Sequence, residues 1–226
     1  MYSNGGIGLV LAAPVVGCLI VLHQRARAFY YVTFIGCTLL IMNVTKLYYH
    51  QERPYWASAD VQAFSCSSQY GNPSGHSLFS MATALVIWLD YNQHAQEYQG
   101  VWFSKGARVF FLIVALVFGA TIGYSRMFLG VHSLNQLIFG WSFGIWLALT
   151  LHFIFKDKVI ENARQLLRGD EQRFLEMALR CGLVMFCAFA MEIVNYATVN
   201  DDIVNDEAWS TRMREKCGEK SLDKAF

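Results

Sequence analysis

Apolar residues in this chain come in long runs, separated by polar links that hold most of the charge. Such runs match the hydrocarbon core of a bilayer, where a spanning helix needs about 20 mostly apolar residues. The runs cover Asn4 to Leu22, Ala28 to Thr45, Ser77 to Leu89, Val109 to Ser125, Ser133 to Phe155 and Met177 to Tyr196. The first two carry no charge. The third is short and is expected to start below the membrane surface. The last contains Arg180 and Glu192, which are expected to face other helices rather than a transport path. A helix satisfies its own backbone hydrogen bonds in lipid, so each run is predicted helical. The expected fold class is all-α, a multi-pass membrane helical bundle of about six transmembrane helices.

The polar links fall on two sides. One side collects Arg25, Arg27, Lys105, Arg108, Lys156, Lys158, Arg164, Arg168 and Arg173. The loops of the other hold only Lys46, Arg53 and Arg126, although a tail adds five basic residues among acidic ones. The excess of Lys and Arg places the first side in the cytoplasm and the second in a lumen or outside the cell. Residues 1–197 are read as one membrane domain and 198–226 as a polar, solvated tail. The stretch from Lys158 to Leu175 has the helical spacing of an interfacial helix. The first run would also suit a signal peptide, with Ala26-Arg27-Ala28 as a small-x-small site. No basic segment precedes it, so it is kept as a span.

Composition agrees with the pattern. Hydrophobic residues make up 55% of the 226 positions and charged residues only 15%. That is too little charge for the surface of a soluble domain, and too much apolar residue for a disordered chain. A net charge of +1 gives no case for nucleic acid. The six cysteines form no disulfide framework and no metal-ligand spacing. Cys18, Cys37, Cys181 and Cys187 read as packing residues. Cys66 and Cys217 share the lumenal side, which permits a disulfide that spacing does not support. Tyr55, Trp56 and Tyr70 are expected in the interfacial aromatic belt, with substrate stacking as a second role for Trp56.

The few basic residues of the lumenal side sit in a pattern. Lys46 ends the second run and Arg53-Pro54 follows it. Asn72-Pro73-Ser74-Gly75-His76 heads the third run. Ser125-Arg126 ends the fourth, and His132 opens the fifth. Taken singly, Lys46 and Arg126 read as snorkelling residues at helix ends, and His132 as a packed polar residue. Together they suit a phosphoryl group. Lys46, Arg53 and Arg126 can neutralise its oxygens, and the planar guanidinium matches two at once. Ser74 and Gly75 at a helix start can offer a hydroxyl and backbone N–H groups to an anion. One histidine can attack phosphorus while the other protonates the leaving oxygen. Fixed cations can stabilise the transition state, so no cofactor or metal is called for.

This arrangement resembles the type 2 phosphatidic acid phosphatase superfamily, which includes the vanadium haloperoxidases. Its signature is K-x6-R-P, P-S-G-H and S-R-x5-H-x3-D. Here the parts are Lys46 to Pro54, Pro73 to His76, and Ser125 onward to His132. The resemblance covers Ala28 to about Leu147. It implies that His132 is the nucleophile and His76 the general acid. It also implies that Lys46, Arg53, Ser74, Gly75 and Arg126 bind phosphate. The last signature position, usually Asp, is Gln136. Its amide can orient His132 without adding charge. Glucose-6-phosphatases resemble the chain in this Gln and in the run Arg53 to Trp56, although they usually have nine spans.

The expected function is an integral membrane phosphatase acting on a phosphorylated small molecule or lipid by a phosphohistidine mechanism. The alternative is an inactive family member serving as a structural subunit of a membrane protein complex. A transporter is a third reading, suggested only by Arg180 and Glu192. The expected location is the endoplasmic reticulum with a lumenal site, or an organellar inner membrane. Membrane lipids are expected neighbours.

Overall fold

The computed structural model describes residues 24–218, apart from 68, 96–99, 101, 103 and 170. The run from Asn4 to Leu22, and Cys18 within it, lie outside the described residues. The described chain is helical, with no strand among the described residues. Helix α1 spans Arg25–Tyr49, the short α2 Pro54–Ala57, α3 Gly75–Ala95 and α4 Lys105–Phe128. Helix α5 spans Leu134–Thr150 and passes through a π-helical turn, Leu151–Phe155, into α6, Lys156–Leu167. Helices α7, Glu171–Asn205, and α8, Glu207–Cys217, follow.

Four stretches are long and apolar enough to cross a membrane: Arg25–Ala57, Lys105–Phe128, Leu134–Leu167 and Gly182–Val199. The expected count of about six is therefore not reached among the described residues. The first run is not described, and the third, now α3, is not apolar enough to qualify. The reason is packing. Residues 77–83 of α3 are buried without interruption, and the helix lies against both α4 and α5. Protein rather than lipid surrounds it, so it can carry Ser77, Ser80, Thr83 and Asp90.

Two Gly-x3-Gly pairs make the packing close. On α5, a Cβ at Gly140 would stand 2.8 Å from the Ser74 carbonyl oxygen, and one at Gly144 would stand 2.5 Å from that of Leu78. On α4, Gly119 faces Met81 and Gly123 faces Trp141. Small residues at this spacing let helix backbones approach where lipid offers no hydrophobic drive.

Asp90 ties the end of the bundle predicted to be cytoplasmic. Its carboxylate meets Arg27 Nε at 3.2 Å and Lys156 Nζ at 2.5 Å, and accepts from Tyr31 at 2.9 Å. These contacts join α1, α3 and α6. Losing one partner of such a buried set would leave an uncompensated charge.

The remaining links differ from expectation. The interfacial helix ends at Leu167 rather than Leu175, because Gly169 turns the chain at φ +90°. Arg180 does not face another helix; it is exposed and pairs with Glu176 at 3.7 Å. The first part of the tail is not a solvated appendage. Helix α7 runs on to Asn205, and Asp206 caps α8 by accepting from the N–H groups of Ala208 and Trp209. Helix α8 then lies on the loop between α1 and α3. Arg212 Nη1 donates to the Trp56 carbonyl at 2.6 Å, and Lys216 donates to those of Ser58, Ala59 and Val61. Cys66 and Cys217 form a disulfide, Cα to Cα 6.1 Å. Tyr55, Trp56 and Tyr70 are consequently core residues rather than a membrane-interface belt, each with no exposed surface.

Candidate active site

The three motifs meet at one end of the bundle because each stands where a helix ends or begins there. Lys46 lies in the last turn of α1, which stops at His50 in the left-handed conformation. The His50 N–H bonds back to the Lys46 carbonyl at 3.1 Å. Arg53 caps α2, and Pro54 fills the first helical position, where no N–H is needed. Ser74, Gly75 and His76 open α3, Arg126 closes α4, and His132 precedes α5.

Arg53 is 3% exposed and spends its guanidinium on the surrounding loops. Nε donates to the Gln69 carbonyl at 2.6 Å and Nη2 to that of Tyr70 at 3.4 Å. Nη1 donates to the Val131 carbonyl at 3.1 Å and lies 3.2 Å from His132 Nε2. Lys46, 2% exposed, donates from Nζ to Gln69 Oε1 at 2.6 Å. A Cβ at Gly75 would lie 3.8 Å from that same Nζ, so the start of α3 borders Lys46. His76 is the next residue, half-buried in the first turn of α3. Ser74 is more committed than expected. Its N–H donates to the Gln136 carbonyl at 3.2 Å, and its hydroxyl accepts from Ser77 at 2.9 Å. Arg126 is 9% exposed, and its Nε meets no acceptor among the described residues.

Gln136 decides the state of His132. The Ser133 N–H donates to Gln136 Oε1 at 3.2 Å, and Gln136 Nε2 donates to the Glu52 carbonyl at 2.9 Å. An N–H needs an oxygen and a carbonyl needs an N–H, so the amide can point only one way. Oε1 therefore also faces His132 Nδ1, at 3.2 Å. Nδ1 must carry the proton, and Nε2 holds the free lone pair. Gly71 leaves room for this amide; a Cβ there would stand 2.5 Å from Gln136 Nε2.

Electrostatics keep the ring neutral. Burial, then Arg53 and Lys46, hold the His132 pKa well below its ordinary value; the Gln136 bond opposes this and Arg126 adds to it. The folded state thus binds fewer protons than the unfolded chain as pH falls below about 6.5. The stability that neutral His132 brings is full above that pH and is lost as pH falls toward the depressed value. Between pH 7.5 and 5, the wild-type melting temperature is expected to fall more than that of His132→Gln. Equal slopes would contradict the neutral buried ring.

Residues 27–160 match the PAP2 superfamily, whose region takes in all three motifs. The chain belongs to the PAP2 superfamily. No curated protein and no solved structure matches it. PAP2 proteins act on phosphorylated substrates, often lipids, and membership implies phosphatase-type hydrolase chemistry. The four apolar helices fit a membrane protein of this kind.

Several site neighbours escape a reading of PAP2 motifs alone. Gln69 and Tyr70 receive Lys46 and Arg53, and both are held by acids of α7. Gln69 Nε2 donates to Glu192, and the Tyr70 hydroxyl donates to Asp202. Burial and Asp202 raise the Tyr70 pKa above its ordinary value, so the phenol keeps its proton. Glu192 gave a signal, as a charge inside an apolar run; Gln69 gave none. Trp56 is covered by Trp209, ring centroids 5.5 Å apart, so it packs rather than stacks on substrate. An open groove of about 940 Å³ lies beside α8, lined by Asp202, Trp209, Arg212 and Glu215 among others, and contains none of the motif side chains. Among the described residues, no group of three or more His, Cys, Asp or Glu is placed to hold a metal ion.

Proposed function

We propose that this chain is an integral membrane phosphatase that hydrolyses a phosphomonoester or lipid phosphate through a phosphohistidine on His132. One observation carries the reading: a buried histidine whose Nδ1–H is fixed by Gln136 and whose Nε2 lone pair lies 3.2 Å from the Arg53 guanidinium. A nucleophilic imidazole must be neutral, oriented and adjacent to the cation that will receive the phosphoryl oxygens. His132 meets all three conditions.

The proposed steps use the side chains gathered around His132. The phosphoryl group enters among Arg53, Lys46 and Arg126, and its oxygens satisfy the buried Arg126 Nε–H. The Arg53 Nη1–H that lies against Nε2 turns to a phosphoryl oxygen and frees the lone pair. Nε2 attacks phosphorus, the bond to the leaving oxygen breaks, and His76 gives that oxygen its proton. Water then attacks the phosphohistidine while His76 takes the water's proton. Orthophosphate leaves and the Nε2 lone pair is restored. Cations and the Gly75 N–H at the start of α3 carry the transition-state charge. Gln136 acts by holding the ring.

The Gln136 and Arg53-Pro54-Tyr55-Trp56 features favour a glucose-6-phosphatase-like member. The Cys66–Cys217 disulfide lies on the same end as the site and favours an oxidising compartment. A lumenal site in the endoplasmic reticulum meets that condition, as does the outer face of an organellar inner membrane.

The test is phosphate release by the purified chain from a sugar phosphate, a sphingoid phosphate, a phosphatidate and a polyprenyl diphosphate. Release from at least one is expected, with inhibition by vanadate. Silence on all four would favour the structural-subunit reading. His76→Ala should cost about 10²–10⁴-fold on substrates with poor leaving groups and spare a nitrophenyl ester, because only the former need protonation. An equal loss on both would remove the acid role.

Gln136 supplies a further prediction. From the motif alone, Gln136→Asp would restore a carboxylate partner and help slightly. The Glu52 contact supports the opposite outcome. Asp is one methylene shorter and has no N–H for the Glu52 carbonyl, so that hydrogen bond would be lost at a cost of about 1 kcal/mol. Gln136→Asp is expected to lower both melting temperature and kcat/KM. A gain in either would show that the Glu52 contact is dispensable.

A further inference from the structure

Lys46 and Arg53 both end on Gln69, a residue of the loop that the disulfide clamps. The Lys46 ammonium is buried, and its Nζ donates to the Gln69 side-chain oxygen at 2.6 Å. The Gln69 main-chain oxygen accepts from Arg53 Nε, also at 2.6 Å. On its far side the Gln69 amide donates to the carboxylate of Glu192. Glu192 lies on α7, beyond the matched residues 27–160. We propose that Gln69, backed by Glu192, is an internal ligand for Lys46 that weakens the site's hold on orthophosphate and so speeds product release. The proposal rests on the phosphate-site reading above.

The physical case has two parts of the same sign. A phosphoryl oxygen reaching Lys46 must compete with an acceptor already in place. An amide whose N–H donates to a carboxylate is polarised into a better acceptor, so Glu192 strengthens the competitor. The Glu192 charge also opposes a phosphate dianion directly. Orthophosphate must leave at every turnover, and three buried cations alone would retain it. Gln69 is thus a positioning residue that acts through Lys46, and Glu192 acts both through that pair and by its own charge.

A purely structural role predicts the reverse. If Glu192 merely aimed Lys46 at the substrate, its loss would weaken phosphate binding. The loop does not depend on Glu192 for its place, because Cys66–Cys217 and the Tyr70–Asp202 bond hold it independently. Glu192→Gln keeps the size and an acceptor oxygen, so the fold is retained while the charge is removed.

The experiment is calorimetric titration of orthophosphate into the full chain in lipid nanodiscs. Glu192→Gln should lower the dissociation constant about tenfold, the scale of one charge acting across roughly 12 Å at the effective dielectric of a protein surface. Gln69→Leu, which removes the acceptor at similar volume, should also tighten binding. In a Lys46→Met background Gln69→Leu should lose its effect, leaving a change within about twofold. Unchanged or weaker binding by Glu192→Gln and Gln69→Leu would overturn the proposal. A persistent Gln69→Leu effect without Lys46 would overturn it too. If Lys46→Met itself left the wild-type affinity unchanged, the phosphate-site reading would fail first and take the proposal with it.

Discussion

His132→Ala is expected to abolish turnover by about 10⁴-fold or more, the scale on which removing the nucleophile of a covalent hydrolase acts. Rapid quenching of the wild type with labelled substrate should trap an acid-labile phosphohistidine, and the variant should trap none. Lys46, Arg53 and Arg126 would still bind the substrate, so KM should change far less than kcat. The wild-type His132 ring is held with Nε2 3.2 Å from the Arg53 guanidinium. A labelled intermediate that survives His132→Ala would move the nucleophile elsewhere. Loss of substrate binding in place of loss of chemistry would make His132 a binding residue only.

Arg53→Lys should come close to the same loss, about 10³-fold in kcat/KM, although charge is conserved. The guanidinium serves the Gln69, Tyr70 and Val131 carbonyls and His132 Nε2 at once. A lysine is shorter in reach and has three donors on one atom. It would leave buried carbonyls unpaired and draw the loop from Gln69 to Tyr70 out of place. The effect should appear in both melting temperature and kcat/KM, because Arg53 joins the loops as well as meeting substrate. An Arg53→Lys enzyme within about tenfold of wild type would show that charge alone suffices there.

The helices that frame the site were legible because their apolar runs are uninterrupted. Ala28 to Thr45 and Val109 to Ser125 each fall within a long helix, and Ser133 to Phe155 runs from the cap of α5 through its π-helical turn. The gathering of Lys46, Arg53, Arg126 and His132 was legible for a related reason. Each stands at a helix end on the same predicted side, so topology alone brings them near. What sequence could not show is contact made through backbone atoms. Arg212 and Lys216 hold α8 by donating to main-chain carbonyls, which carry no residue identity and leave no pattern. The burial of Tyr55, Trp56 and Tyr70 follows from that docking and was hidden with it. In the motif Gln136 resembles a weaker Asp, because the spacing shows only its carbonyl. Nothing in the spacing marks its N–H bond to the Glu52 carbonyl.

Helix α3 has a consequence for how the protein is made. Its start carries Ser74 and His76, its body is sheathed by α4 and α5, and Asp90 sits near its far end. It is not among the stretches apolar enough to cross a membrane alone. A translocon that releases segments by their hydrophobicity would not partition such a helix into lipid by itself. It must wait until α4 and then α5 emerge, and enter the bilayer in their company. The glycines of α5 would then serve as the seat that makes joint entry favourable. A bulky residue at Gly140 or Gly144 would block that seat during synthesis, so the cell would meet the fault as a failed membrane insertion before any phosphate chemistry arose.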